Sequence, residues 1–416
     1  MSLISDYQLD IKKAHQRLSE VISHTPLQLN QNLSNQYDAK IYLKREDLQE
    51  VRSYKLRGAY HMISQLPEDV QQRGVVCASA GNHAQGFAYS CRKLNIRGVV
   101  FMPKVTPRQK IQQTKHFGQE NIIVRLIGDT FDDCAEAAKK YASEHQMTFI
   151  PPFDDTRIIE GQGTIAVELL EDLKNIDYLF IPIGGGGLCA GVGAYIRDHS
   201  PKTKIIGVEP EGAPSMQAAI QAGKPVTLDH IERFIDGVAV KRVGDLTFDI
   251  CRSVIDDICL IPEGKVCSTI LKLYNENAIV VEPAGAISIS ALDNYADQIK
   301  GKNVVCIISG GNNDIDRMQE IKERSLQFER LKHYFLIHFA QRPGALKDFV
   351  NKVLGPNDDI IRFEYMKKTD KEGGPALVGI ELNSAHDYDT LIQRMQDCQF
   401  DFTILNKNDT LFAYIV

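Results

Sequence analysis

The chain has 416 residues, 43% of them apolar and 25% charged, a soluble globular composition with length enough for two or three domains. Lysine plus arginine (48) against aspartate plus glutamate (54) leaves a net charge of −6. That mild acidity speaks against nucleic acid or an anionic membrane as the main partner. Nine cysteines with no C-x-x-C pair point to buried thiols in a reducing cytoplasm rather than to a disulfide frame.

Taken in chain order, Met1 to Glu20 mixes charges throughout and carries no apolar core of a signal peptide. From residue 75 to residue 310, short apolar β-rich runs alternate with helical patterns. Val75–Ala78, Val99–Phe101, Ile122–Leu126, Leu179–Ile183, Ile205–Val208 and Val304–Ile308 read as strands covered on both faces. Asp132–Glu144, Gly163–Leu173 and Lys265–Ala278 read as helices. The alternation predicts an open α/β fold, in which ligands sit beyond the carboxyl ends of the strands. Tyr178–Ile196 is a 19-residue stretch without a formal charge. Pro182 and four consecutive glycines break it, so it predicts strand, glycine turn and helix rather than a membrane span. Beyond the charge-dense segment Asp316–Lys332 the order strand, helix, strand, strand, helix, strand is ferredoxin-like, with a boundary expected near Leu331.

Gly184, Gly185, Gly186 and Gly187 follow a strand and open a helix, where several backbone N–H groups can converge on one phosphate. Gly185, Gly187 and Ala190 also fit G-x-G-x-x-A, with Glu209 about 20 residues on, so a nicotinamide-dependent oxidoreductase is one reading. A different reading starts from Lys55 in Ser53-Tyr54-Lys55-Leu56-Arg57-Gly58. Two further polar turns follow strands, Ser79-Ala80-Gly81-Asn82-His83 and Ser309-Gly310-Gly311-Asn312. A lysine, a phosphate cradle and polar turns at strand ends are the parts of a pyridoxal phosphate site. A third reading, an amino-acid sensor without catalysis, has against it that Lys55, Asn82 and Ser309 are all intact.

These motifs, together with Leu43-Lys44-Arg45-Glu46-Asp47-Leu48 and Met102-Pro103, resemble the threonine dehydratase family from about residue 5 to residue 320. The C-terminal unit resembles the ACT-like regulatory domain of its biosynthetic members, in the short form with a single such unit, through Arg342-Pro343-Gly344-Ala345-Leu346. The resemblance implies a fold-type II pyridoxal phosphate enzyme, similar to the tryptophan synthase β chain, with a ferredoxin-like α+β domain after it. It implies a catalytic region over 1–320 in two α/β subdomains, the smaller spanning 46–150, a connector at 321–331 and a regulatory domain at 332–416.

The same resemblance implies that Lys55 carries the cofactor as a Schiff base and that Asn82 faces the ring 3′-oxygen. Gly184, Gly185, Gly186, Gly187 and Leu188 would bind the phosphate, and Ser309 the pyridine nitrogen. The backbone of Ser79, Ala80, Gly81, Asn82 and His83 would hold the substrate carboxylate, and Pro343, Gly344 and Ala345 would belong to the effector site. It implies L-threonine as substrate, with L-serine as the alternative, isoleucine and valine as effectors, and a cytoplasmic homo-oligomer, a homotetramer. Tyr54 replaces the family's usual phenylalanine, which keeps the aromatic wall. Ala80 stands where a racemase has its second acid–base serine. In the loop where racemase-like relatives bind a divalent metal, Glu209 and Ala213 are present but Ser215 stands in place of aspartate, so no metal is expected. Glu282 reads either as a residue near the cofactor or as a carboxylate at a helix start.

Overall fold

The computed structural model describes residues 3–365 and 373–406. Two compact units divide the chain, Met1–Ile315 and Asp316–Val416. In the first unit the strands are β1 (Leu27–Leu29), β2 (Lys40–Arg45), β3 (Val75–Ala78), β4 (Gly98–Met102), β5 (Ile122–Leu126), β6 (Thr148–Phe149), β7 (Tyr178–Pro182), β8 (Lys204–Pro210), β9 (Asp257–Ile261) and β10 (Asn303–Ile308). Six of them form a sheet in the order β1-β2-β10-β7-β8-β9, parallel except for β1. A second, wholly parallel sheet has the order β5-β4-β3-β6.

Most of these strands are buried on both faces, as continuous apolar runs require. Among the strands that the apolar runs mark, β5 departs from this: it lies at a sheet edge, and Ile123 and Leu126 are 44% exposed. Its apolar run resembles that of its neighbours, so only its place at the edge separates it from them. Strands β1, β2, β6 and β9 are short or carry charges, and periodicity does not mark them.

Three helices meet beneath the cleft between the sheets. The helix Thr156–Asp172 starts on an Asp155 cap and is buried from Ile158 to Leu169. It begins seven residues ahead of the expected Gly163, because Asp155 supplies the N-terminal cap. It crosses the helix Lys55–Ser64 so closely that a Cβ on Gly161 would lie 2.6 Å from the Gly58 Cα. The helix Asn82–Leu94 packs on Lys55–Ser64 from the other side.

A buried ion cluster pins this junction. Arg57 Nη2 donates to Glu46 Oε1 at 2.7 Å and its Nη1 to Glu168 Oε1 at 2.6 Å. Lys44 Nζ donates to Glu168 Oε2 at 2.5 Å and to the Thr25 carbonyl at 2.6 Å. The four charged side chains are at most 1% exposed. Two cations and two carboxylates balance, so no charge is left buried alone.

The second unit opens with the helix Met318–Phe328, followed by β11 (Lys332–Ala340), β12 (Asp359–Tyr365), β13 (Gly373–Glu381) and β14 (Asp401–Ile404). Their antiparallel sheet has the order β12-β13-β11-β14, the ferredoxin-like arrangement. Ala376, Val378 and Ile380 alternate inward from β13 and meet Phe349 and Leu391 of the helices Ala345–Lys352 and Asp387–Asp397.

Arg57→Ala is expected to destabilise the first unit by about 3–5 kcal/mol, because it leaves Glu46 buried without a cation and Glu168 with Lys44 alone. Urea unfolding checks this, and an unchanged midpoint would contradict it.

Candidate active site

The cleft residues come from loops that leave the carboxyl ends of β2, β3, β7 and β10, where an open parallel fold places its ligands. Lys55 begins its helix at the end of the loop after β2. Its Nζ donates to the Pro152 carbonyl at 2.9 Å and lies 5.3 Å from the centre of the Tyr54 ring. Burial lowers the pKa of Lys55 from 10.5 to about 8, with the Glu282 carboxylate partly opposing the shift. A minor but much enlarged fraction is therefore neutral amine, able to act as nucleophile or base, near physiological pH.

The loop after β10 is fastened to the Lys55 segment. The Tyr54 amide donates to the Ser309 carbonyl at 3.2 Å and the Gly311 amide to the Arg52 carbonyl at 2.9 Å. The Ser309 hydroxyl, 3% exposed, donates to the Ala284 carbonyl at 3.0 Å. Asn82 donates from Nδ2 to Glu282 Oε1 at 2.6 Å and accepts at Oδ1 from Asn312.

After β7, Gly186 adopts φ +95° and the helix Gly187–His199 begins. A Cβ on Gly185 would lie 2.2 Å from the Phe153 ring, so that position requires glycine. The Gly185 carbonyl is held by the Thr247 hydroxyl at 2.6 Å, and Asp154 accepts from the Asp245 and Thr247 amides at 3.0 and 3.1 Å. These bonds leave the amides of Gly184 to Leu188 without an acceptor from the chain among the described residues.

The loop after β3 holds one correction. The Ser79 amide donates to the Phe101 carbonyl at 3.1 Å, continuing the ladder between β3 and β4, so it does not serve as a carboxylate donor. The Gly81 amide donates to Ser79 Oγ at 3.2 Å. Ala80, Asn82 and His83 keep amides at the start of a 13-residue helix, and a Cβ on Gly81 would meet nothing within 4 Å. His83 Nε2 donates to the Ile150 carbonyl at 3.0 Å. Burial and the nearby Lys55 push its pKa from 6.5 down to about 3, so the imidazole is neutral.

Residues 18–310 match the family model described as "Pyridoxal-phosphate dependent enzyme", and residues 323–415 match "C-terminal regulatory domain of Threonine dehydratase". The chain is similar to the biosynthetic L-threonine dehydratase IlvA of Halalkalibacterium halodurans, 57% identical over 408 residues and covering 98% of each chain. It is also 57% identical over 407 residues to that of Bacillus subtilis, covering 98% of this chain and 96% of the relative. The chain belongs to the threonine dehydratase family of pyridoxal-phosphate-dependent enzymes. Among solved structures it resembles the processed form of threonine deaminase isoform 2 from Solanum lycopersicum, with TM-score 0.73, 39% identity, and 76% and 92% of the two chains covered. It also resembles the serine racemase of Dictyostelium discoideum, with TM-score 0.68, 30% identity, and 76% and 99% covered.

The cleft fits the cofactor of this family. It offers an amide cradle at a helix start for a phosphate, an amine of lowered pKa for an aldehyde, and a buried hydroxyl and carboxamide for ring heteroatoms.

Glu209, which suggested a ribose partner in a nicotinamide reading, is 1% exposed and accepts from the Met216 and Gln217 amides at 2.8 and 2.9 Å. Burial still pushes its pKa up to about 7. Ser215 donates its hydroxyl to the Val240 carbonyl. Both side chains thus hold the start of the helix Ser215–Ala222.

Sequence reading missed Phe153, Thr247 and the Gly237-Val238 segment. Val238 backs Gly184, where a Cβ would lie 2.9 Å from the Val238 Cα, and a Cβ on Gly237 would be 3.8 Å from Glu282 Oε1. Pro151-Pro152 before Phe153 signals a turn, but nothing local joins that turn to a glycine loop about thirty residues away.

Lys55 in the cofactor-free protein is expected to titrate near about 8 in pH-dependent acetylation followed by mass spectrometry, well below the ordinary lysine value of about 10.4. Titration alongside the surface lysines would contradict the electrostatic environment described.

Proposed function

We propose that the chain eliminates water from L-threonine and that hydrolysis of the resulting imine, which takes one water back, gives 2-oxobutanoate and ammonia, as the first step of isoleucine biosynthesis, with Lys55 as its central catalytic group. The observation that carries the assignment is the amine of Lys55, with its lowered pKa, in the same cleft as the amide cradle of Gly184–Leu188. Pyridoxal phosphate, when bound, withdraws electrons from the α-carbon of an attached amino acid and so makes its α-proton removable. In this reading Lys55 would hold the cofactor and supply the base for the α-proton. The amides of Gly184, Gly185, Gly186, Gly187 and Leu188 would hold the phosphate, Asn82 the ring oxygen and Ser309 the ring nitrogen.

A serine hydroxyl is a far weaker acid than a carboxylic acid. Ser309 would therefore be a poor proton source for the ring nitrogen of bound cofactor, a property suited to elimination. The Ala80, Asn82 and His83 amides receive the substrate carboxylate. Ala80 offers no proton donor or acceptor on its side chain, which supports elimination over racemisation in a fold shared with a serine racemase. One methyl group in a pocket is worth only about 1–3 kcal/mol, so L-serine is expected as a poorer substrate.

The second unit supports a regulatory role. Gly344, at φ +85°, and Ala345 line a cavity of about 530 Å³ with Phe339, Leu346, Val350 and Phe363. Pro343 precedes them in the turn. The apolar wall suits a branched aliphatic side chain, and the helix start at Ala345 suits its carboxylate. We assign isoleucine to this site as inhibitor, with valine opposing it. Nine cysteines outside any disulfide, eight of them buried, support a cytoplasmic setting. Among the described residues, no helix is long and apolar enough to cross a membrane. A homotetramer is the assembly expected in this reading.

Lys55→Ala is expected to keep its fold by circular dichroism while losing the visible absorption band and nearly all production of 2-oxobutanoate. Turnover of threonine near the wild-type rate would overturn the assignment. Isoleucine is expected to raise the threonine KM about 5- to 150-fold, and threonine to weaken isoleucine binding by the same factor where both are at equilibrium. Gly344→Val should abolish that response, because a β-branched residue does not accept φ +85° and would crowd the cavity. Unaltered inhibition of this variant would place the effector elsewhere.

A further inference from the structure

Glu282 precedes the helix Pro283–Ser290, and its side chain makes no cap to that helix. It is 5% exposed, although a carboxylate at a helix start is ordinarily solvated. Its Oε1 instead accepts from Asn82 Nδ2 at 2.6 Å. The other end of the Asn82 carboxamide is held as well. Asn312 Nδ2 donates to Asn82 Oδ1, and also to the Val51 carbonyl at 3.2 Å.

A carboxamide can usually be turned over with little change in shape, exchanging its donor and acceptor ends. Here the two ends of the chain decide the matter. The Val51 carbonyl only accepts, so it faces the Asn312 amino group. That amino group only donates, so it faces the Asn82 oxygen. The Glu282 carboxylate only accepts, so it faces the Asn82 amino group. One N–H of Asn82 then remains, and its direction is set by the other two bonds.

We propose that Glu282 and Asn312 are positioning residues that hold the Asn82 carboxamide in one orientation, so that its remaining N–H is presented as a donor to the ring oxygen of bound pyridoxal phosphate. The proposal rests on the reading above, in which Asn82 faces that oxygen. Without the two partners, Asn82 can turn its own oxygen toward the cofactor oxygen, and two acceptors then repel each other in a poorly solvated cleft. Glu282 also lies close enough to Lys55 to act on it through charge, so the test has to separate its charge from its hydrogen bond.

Glu282→Gln and Glu282→Ala both remove the charge, but only glutamine still offers an oxygen to Asn82 Nδ2. Pyridoxal phosphate affinity, measured by titrating the cofactor-free full chain, and the absorption maximum of the holoenzyme are compared with wild type. Glu282→Ala should bind the cofactor about 10-fold more weakly with a shifted maximum, whereas Glu282→Gln stays within about 3-fold at the wild-type maximum. Asn312→Ala, which frees the other end, should behave like Glu282→Ala, and it decides the question if that variant does not fold. Wild-type affinity and spectrum in Asn312→Ala or Glu282→Ala overturn the proposal. So does equal impairment of Glu282→Gln and Glu282→Ala, since the shared loss of charge would then explain both. Failure of the wild-type protein itself to bind pyridoxal phosphate would instead overturn the functional reading beneath it.

Discussion

The buried charges of Arg57, Glu46, Glu168 and Lys44 are the constraint on which the catalytic unit depends. They join β2, the short turn after it, the Lys55 helix and the helix Thr156–Asp172. Arg57 lies two residues beyond Lys55, so the bonds that satisfy its guanidinium also set the start of the helix from which Lys55 projects. Replacing a balanced buried cluster with apolar side chains is often neutral or stabilising. Its value here is geometric: bidentate bonds to two carboxylates on different elements admit few arrangements of those elements.

Around that junction the cleft is arranged by polarity. Burial lowers the pKa of Lys55 to about 8 and that of His83 to about 3, so at neutral pH the imidazole is neutral while Lys55 is still mostly ammonium. The backbone amides at helix starts add fixed donors with no proton to lose for an anionic ligand. Glu282 is the principal fixed charge acting on Lys55. It keeps the lysine pKa higher than burial alone would.

Much of the site was legible because its parts are local. A glycine run between strand and helix, a lysine at a helix start and a serine after a strand are each confined to a few residues. The family resemblance supplied their joint meaning. Expectations went astray where tertiary context intervened. The Ser79 amide looks free in a polar turn, yet the pairing of β3 with β4 engages it through Phe101. Ile123 and Leu126 look like core, yet the strand order leaves them on an edge.

By itself the sequence determined the alternating α/β layout, the ferredoxin-like order of the last six described elements, and the glycine run between a strand and a helix. Those follow from residue type, periodicity and short spacing, which are properties of neighbouring positions. Only the tertiary structure decided that Phe153 closes on Gly185, that Asn312 and Glu282 grip opposite ends of Asn82, and that Glu209 ends on two helix amides. The 200 positions between Asn82 and Glu282 carry no local signal of that contact. It exists because separate strands end at the same cleft, and their order in the sheet is set by packing of the whole unit.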